Sequence, residues 1–542
     1  MKLNASQIIS KAKKLKQERA VWESHWQDLA DYILPRKNDI ITRNKVKGRK
    51  KGEFLFDNTG MVACELLAGA LHGLLTSPNQ VWFDLTTGDR LLDNDPEVLS
   101  FLQDLRDQMH MILNNSNFQT EIHEVYLDLV CFGTAVMVIL EDEDKIVRFS
   151  AKSLADVYVE ENNLGIIESA YRTFRWDART IVQEFAKGVD ESDEAKLEEL
   201  VGKEVLRCFK KGDKKKFEII HAVYREDLTK NKVKPFISQY ILVDTKKVLK
   251  EDGFRTFPYV VPRWTKVSGE IYGRGPGMNA LPEVKTVNAM TKAVLKAAQK
   301  TVDPPLQMPD DGFVSPKINK PGSISYYRAG SRDRIEPIFP NLRVDVGIEL
   351  TRDRQARIRE AFFVDQLQLN RGPQMTATEV NARTEERMRL LGPLLGRQQN
   401  ELLRPLIDRL LDIMIARDLV NVDNVPPALQ GQKLNVVYSS PIARAQRIDQ
   451  GQSLLRAFQA SAPFLQLDQS AVDNIDVDAV IKETWKIYGA PQNVLRTEDE
   501  IDNIRKQRAE AQQQMIEKAQ ATQETQQAIE AAKATGISQA TG

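Results

Sequence analysis

Residues 366–380 read QLQLNRGPQMTATEV, a stretch in which a helical pattern stops and restarts at once. Asn370, Arg371, Gly372, Pro373 and Gln374 cannot extend a helix. Glycine lowers helix stability, and proline removes a donor and clashes with the preceding turn. Thr376 with Glu379 three positions on forms a capping-box pair, each side chain able to satisfy the other's orphan amide. The spacing predicts a helix over 349–369, an encoded break, and a new helix from 376 to about 417. That second helix packs through leucines such as Leu390, Leu394, Leu402, Leu406 and Leu410, and should bend at Gly392-Pro393 and at Pro405. Before the break, charge crowds into the first half of the helix, at Arg352, Asp353, Arg354, Arg357, Arg359 and Glu360.

Upstream, YGRGPGMNALPEVKTVNAMTKAVLKAAQK (272–300) is a glycine-rich turn feeding a helix from about Asn279 to Lys300. At about 100° per residue, Lys285, Lys292, Lys296 and Lys300 share one narrow sector, while Val287, Met290, Val294 and Ala298 fall opposite. One face is basic and the other packs. An acid is missing from that basic face, which is unusual for the solvent side of a helix. Residues 303–348, between the two helices, are rich in Pro, Gly and short extended runs.

The pattern outside this pair is mixed. Residues 4–34 read as one helix carrying Trp22 and Trp26, closed by Pro35 and a basic exposed stretch, RNKVKGRKKG (43–52). Residues 57–75 form a helix with a buried stripe expected at 62, 66, 67, 70, 71, 74 and 75, followed by helices near 95–113 and 117–131. Residues 134–262 change to short β-branched and aromatic runs separated by polar turns, with antiparallel hairpins and helices at 177–187 and 191–200. After an extended LNVVYSSP (434–441), the chain is helical from Arg444, ending in an Ala/Gln/Glu-rich segment too poor in large apolar residues for a core. The fold class is α+β, mainly helical.

Composition limits function. A chain of 542 residues divides into several packed regions. No apolar run approaches the roughly 18 residues that span a bilayer, and lysines interrupt the first residues, so neither membrane insertion nor secretion is expected. Cys64, Cys131 and Cys208 are far apart and odd in number, which fits neither a disulfide framework nor a zinc cluster. Lys+Arg and Asp+Glu both total 76, a balance that does not favour a strong sequence-independent grip on DNA.

Catalytic chemistry finds no support. There is no G-x-x-x-x-G-K-[ST] phosphate loop, and GRGPG (273–277) lacks the lysine and hydroxyl of one. It reads as a turn before a helix. His72 and His123 have no second ligand at helical spacing and read as packing or surface residues. EDEDK (141–145) reads as a solvated hairpin turn, and no nucleophile sits in a recognisable elbow or triad. No catalytic residue, metal or cofactor is expected.

The chain resembles the portal, or head-to-tail connector, family of short-tailed bacteriophages. The resemblance is carried, in this order, by HWQDLADYILPRK (25–37), ELLAGALHGLLTSPNQVWFDL (65–85), DLVCFGTAVMVI (128–139), YGRGPGMNALPEVKTVNAM (272–290) and QMTATEV (374–380). It implies a ring of about twelve copies around a channel for double-stranded DNA at one capsid vertex. It also implies a wing (1–270), a first stem helix (271–302), a clip (303–348), a second stem helix (349–370), a tunnel loop (371–375), a long bent wing helix with a return strand (376–440) and a helical crown (441–542). Asn370 to Gln374 would then border the channel, with Arg371 as their one charge. The four stem lysines would line the channel or meet a partner. The implied partners are further copies of the chain, the terminase large subunit, major capsid and scaffolding proteins, and a tail adaptor, with assembly in the host cytoplasm and residence in the virion. Two rivals remain: a capsid-interior scaffold or core protein without a channel, and a packaging ATPase, which would need the phosphate loop this chain lacks.

Overall fold

The computed structural model describes residues 2–42, 48–89, 92–190, 193–226, 233–302, 306–307, 336–337, 344–367, 395–420, 425–429, 434–438, 476–488 and 500–516, with isolated positions besides. Two compact units result: Met1–Asp84 with Leu105–Asp423, and Leu85–Asp104 with Asn424–Gly542. The mixture of helices and antiparallel sheets is the α+β class read from the sequence.

The first unit opens with α1 (Ala5–Glu18) and α2 (Ala20–Tyr32) rather than one helix. Arg19 breaks the run. It is buried, and its guanidinium donates to the carbonyls of Leu154, Ala155 and Val157 and to Glu23. A local helical preference yields here to a charge drawn into the body of the unit. α3 (Thr59–Leu75) follows; next in the chain come the strand β1 (Phe83–Thr86) and α4 (Pro96–Asn115), each divided between the units at Asp84 and Asp104, and then α5 (Phe118–Phe132) of the first unit.

Two antiparallel sheets follow. β2 (Met137–Asp142) and β3 (Ile146–Ala151) form the hairpin turned by EDEDK, and β9 (Tyr259–Val260) pairs with the other edge of β2. The larger sheet is a five-stranded meander of β4 (Val157–Glu161), β5 (Ile167–Asp177), β6 (Lys216–Arg225), β7 (Phe236–Leu242) and β8 (Lys247–Phe254).

Between β5 and β6 the chain inserts α6 (Ala178–Phe185), α7 (Glu194–Val201) and α8 (Lys203–Lys211), the last absent from the sequence reading. Successive strand residues face opposite sides, so Phe217 and Ile219 of β6 join the core under α6 to α8, while Ile220, Ala222 and Tyr224 join Ile8, Ile9, Ala12 and Leu15 of α1. The sheet is covered on both faces, which is why FEIIHAVYR is almost continuously apolar.

α9 (Pro276–Val302) and α10 (Val344–Ala361) come next, with a two-residue antiparallel ladder of β10 (Leu306–Gln307) and β11 (Glu336–Pro337) between them. α10 begins five residues ahead of the predicted Glu349. It ends early as well: Phe363 takes φ 58°, a costly conformation for a bulky side chain, and a short α11 (Val364–Leu367) follows. Burial of Phe362 and Val364 on either side offsets that cost. The break predicted at 370–374 and the capping box at Thr376 lie outside the described residues.

The next helix is described from residue 395, and there a π-helical turn, Gln399–Leu403, precedes α12 (Arg404–Ala416). Pro405 has no N–H to offer the ladder, and the irregular turn falls just before it, where a bend was expected. In the second unit, Asp93 accepts hydrogen bonds from Thr86 and from the amide and hydroxyl of Thr87, and Asn435 of β12 (Asn435–Tyr438) donates to the Thr87 carbonyl at 3.4 Å. α13 (Val477–Tyr488) and helical residues 500–516 complete the described part.

Candidate functional site

The two long helices whose faces were singled out in the sequence form an antiparallel hairpin. Arg354 of α10 donates to both carboxylate oxygens of Glu283 at 2.9 and 3.1 Å. Further along, Gly347 lies against Val294: a Cβ added there would stand 2.8 Å from a Val294 methyl. Numbering rises on α9 from 283 to 294 while it falls on α10 from 354 to 347, so the helices run in opposite directions. Thr351 and Ile358 are the buried residues of α10, on the same face as Gly347 and Arg354.

The first half of α9 is built into the unit. Its start crosses the end of α5 at four glycines, where backbone meets backbone. Gly133 caps α5 with φ 74°, and a Cβ there would be 2.5 Å from the Gly273 carbonyl oxygen; at Gly277 it would be 2.5 Å from the Cys131 oxygen. GRGPG is thus a crossing motif as well as a turn. The Gly273 amide donates to Thr134 Oγ1 at 2.8 Å, which fixes the crossing.

Beside it lies Arg263, whose side chain is 4% exposed. It donates to Glu401 at 2.9 and 3.0 Å, to Glu161 at 2.9 Å and to the carbonyls of Gly165 and Ile271. Burial opposes its charge, but the bonds and charges of Glu401 and Glu161 prevail and raise its pKa. Glu401 belongs to the π-helical turn, and Gln398 beside it donates to the Arg263 carbonyl at 2.8 Å. The helix leading into α12 and the segment leading into α9 are therefore clamped to one another. No spacing in the sequence signalled this pair, because 138 residues separate the partners.

The four lysines are not equivalent. Lys285 reaches Asp28 of α2 at 2.7 Å and lies 5.3 Å from the Tyr32 ring centroid. The acid missing from the lysine face comes from another helix. Lys292 stands 5.3 Å from the Phe56 ring centroid, and Asn288 between them accepts from the Phe56 amide at 2.6 Å. Lys296 and Lys300 lie on the outer half of α9, where Leu295 and Val302 are 47% and 87% exposed. Of the predicted packing face, Val287 is fully buried and Met290, Val294 and Ala298 are half-buried. Asn370 to Gln374 lie outside the described residues.

His72 and His123, isolated in sequence, come together with ring centroids 5.8 Å apart, and His72 Nε2 bonds the Gln119 side chain at 2.7 Å. Burial, then the neighbouring His72, lowers the His123 pKa. Among the described residues no group of three or more His, Cys, Asp or Glu side chains has the arrangement of a metal site, and no helix is long and apolar enough to cross a membrane.

Comparison with known proteins adds what a single chain cannot. The pattern of the family described as bacteriophage head to tail connecting protein matches residues 5–495. This chain belongs to that family. It is 30% identical over 524 residues to a probable portal protein of Bordetella phage BPP-1, covering 93% of this chain and 91% of the relative. It is 29% identical over 523 residues to the portal protein of Salmonella phage epsilon15, with the same coverage. The portal protein of Enterobacteria phage T3 is 19% identical over 463 residues, covering 83% of this chain and 81% of its own. A head to tail connector is a structural part of the virion. Its place in the capsid and its dealings with capsid and tail follow from the family.

Proposed function

We propose that copies of this connector close into a ring of about twelve around a channel at one capsid vertex, that double-stranded DNA enters and leaves the head through it, and that it docks first the terminase and then the tail adaptor. The observation that carries this reading is the likeness to portal proteins along more than nine-tenths of the chain in two phages. The α9–α10 hairpin is then the stem, with the clip shortened to 303–343 because α10 starts at Val344. The sheets and helices before α9 are the wing, α12 and the residues leading to it are the long wing helix, and the chain from 441 is the crown. Residues 371–375 are the tunnel loop. Arg371 meets passing phosphates weakly there, since a firm grip would oppose movement of the DNA.

The unit itself supports assembly. Large apolar side chains stay exposed on the outer stem, Leu295 and Val302 on α9 and Val346, Ile348 and Leu350 on α10. Such a patch marks a surface that another chain covers. Negative-stain micrographs of the purified protein should show end-on rings with a central hole. Solitary particles or solid aggregates under every assembly condition would refute the reading. For the loop, Arg371→Ala should change DNA retention in filled heads in a salt-dependent way, and unchanged retention at all salt concentrations would remove the phosphate contact.

A further inference from the structure

The outward faces of the stem hairpin carry opposite charge. Seen from the line where α9 touches α10, through Glu283, Val294, Gly347 and Arg354, the lysines of α9 project on the far side of that helix. On α10 the far side carries Asp345, Glu349, Asp353 and Glu360 with Arg352 among them, and since Asp353 is paired with Arg357 at 3.3 Å, Asp345 and Glu349 give the outer part its acidic character. The hairpin is therefore a two-helix ribbon with a basic back and an acidic front. Lys292 and Lys296 are four residues apart on α9, and so are Asp345 and Glu349 on α10.

Their levels match too. With Val294 beside Gly347, two residues forward on α9 and two back on α10 cover the same rise of about 3 Å in the same direction. Lys296 is thus level with Asp345, and Lys292 with Glu349. Rotation about a ring axis preserves height along that axis, so for a hairpin that runs along the axis the same levels hold between a stem and its neighbour.

We infer that the stem lysines are a lateral contact between copies, in which the α9 face of one chain, centred on Lys292 and Lys296, meets the α10 face of the next, centred on Asp345 and Glu349. The inference rests on the ring of the preceding section and commits the lysines to a neighbouring chain rather than to the DNA. Three observations favour it. The contact is head-to-tail, the type that closes rings, and a ribbon with unlike faces is complementary to its own copy only in that sense. Lys296 and Glu349 are exposed, and neither has an ion-pair partner among the described residues. Exposed apolar side chains flank both charged rows, Leu295 and Val302 on α9 and Val346 and Leu350 on α10, which gives an apolar border to a polar contact. Lys285, held by Asp28, takes no part.

The test is charge reversal and exchange in the full chain, read as the fraction of protein in rings by size-exclusion chromatography with light scattering. Lys292→Glu with Lys296→Glu should lower that fraction about ten-fold at about 0.1 M salt, where charges are screened over about 10 Å. Glu349→Lys alone should lower it by less. Adding both Glu349→Lys and Asp345→Lys to the double lysine reversal restores complementarity across the seam and should bring assembly back to within about two-fold of the original chain. Thermal melting followed by circular dichroism should be unchanged by the substitutions at Lys296, Asp345 and Glu349, which are exposed, and lowered only slightly by Lys292→Glu, which gives up the Phe56 ring. Rings that form equally well in all variants would overturn the lateral contact alone, as would failure of the exchange to restore assembly. An unaltered chain that forms no ring would overturn the preceding reading and this inference together.

Discussion

The two halves of α9 differ in what completes them. Between Pro276 and Asn288 the helix is finished by its own chain: glycines let it cross α5, Asp28 holds Lys285, and the Phe54–Phe56 backbone is bonded by Asn288. From Lys292 to Val302 it has α10 on one side and exposed lysines and apolar side chains on the other. The first half anchors and the second half is offered. Substitutions in the first should therefore register in the stability of a single chain, and substitutions at the exposed positions of the second, such as Lys296, in assembly.

The largest expected effect lies at the Arg263 clamp. Arg263→Met would leave Glu401 with Arg397 alone, Glu161 with Lys266 alone and the carbonyls of Gly165 and Ile271 without their donor. Loss of one partner of a buried pair costs about 3–5 kcal/mol, and the remaining cations hold this loss near the lower figure, as urea unfolding of the variant chain measures. Gly277→Ala comes next, at roughly 3 kcal/mol, because the added Cβ meets backbone rather than a side chain that can turn away. A melting temperature unchanged by that substitution would mean that α5 and α9 do not cross as described.

Acid should act on the five-stranded sheet but spare the α9–α10 hairpin. His221 is buried between β5 and β7, bonded to Tyr259 and Ser238 and stacked on Tyr240. Burial, then the charges of Arg172 and Lys250, pushes its pKa down to about 3. The unfolded chain takes up a proton near pH 6.5 and the folded chain does not. Its contribution is full above pH 6.5 and is lost as the pH falls toward 3, about 2 kcal/mol by pH 5. Unfolding measured between pH 7 and 5 should show that slope, reduced in His221→Gln. The smallest effect belongs to Lys285→Ala, since a half-exposed ion pair contributes at most about 1 kcal/mol. A loss of several kcal/mol there would erase the distinction between an exposed pair and the buried clamp.

Periodicity carried much of the fold. The helices near 96–115, 118–132 and 276–302, the hairpins, and the strand at 435–438 were legible because each is a local pattern. What escaped depends on partners distant in the chain. Arg19 splits the first helix because the carbonyls it satisfies belong to residues 154–157. The buried stripe of α3 lies at Gly60, Ala63, Cys64, Leu67, Ala68, Leu71 and Leu75, leaving Val62 and Leu66 exposed. A stripe chosen by hydrophobicity alone favours large residues, whereas this helix approaches α9 closely enough that a Cβ at Gly60 would be 2.9 Å from Val284. The lysine face was visible from one helix alone. Its acidic counterpart emerged only when the hairpin gave α9 and α10 a common register, because the acids of α10 are interleaved with arginines in sequence.

Whether identical chains close on themselves around a hollow axis is decided by native mass measurement of the purified protein together with end-on imaging of the same sample. A ring of this kind gives one closed species of about twelve chains with a central opening. A mass that stays at one chain across concentration and salt, or a closed species without an opening, would contradict it.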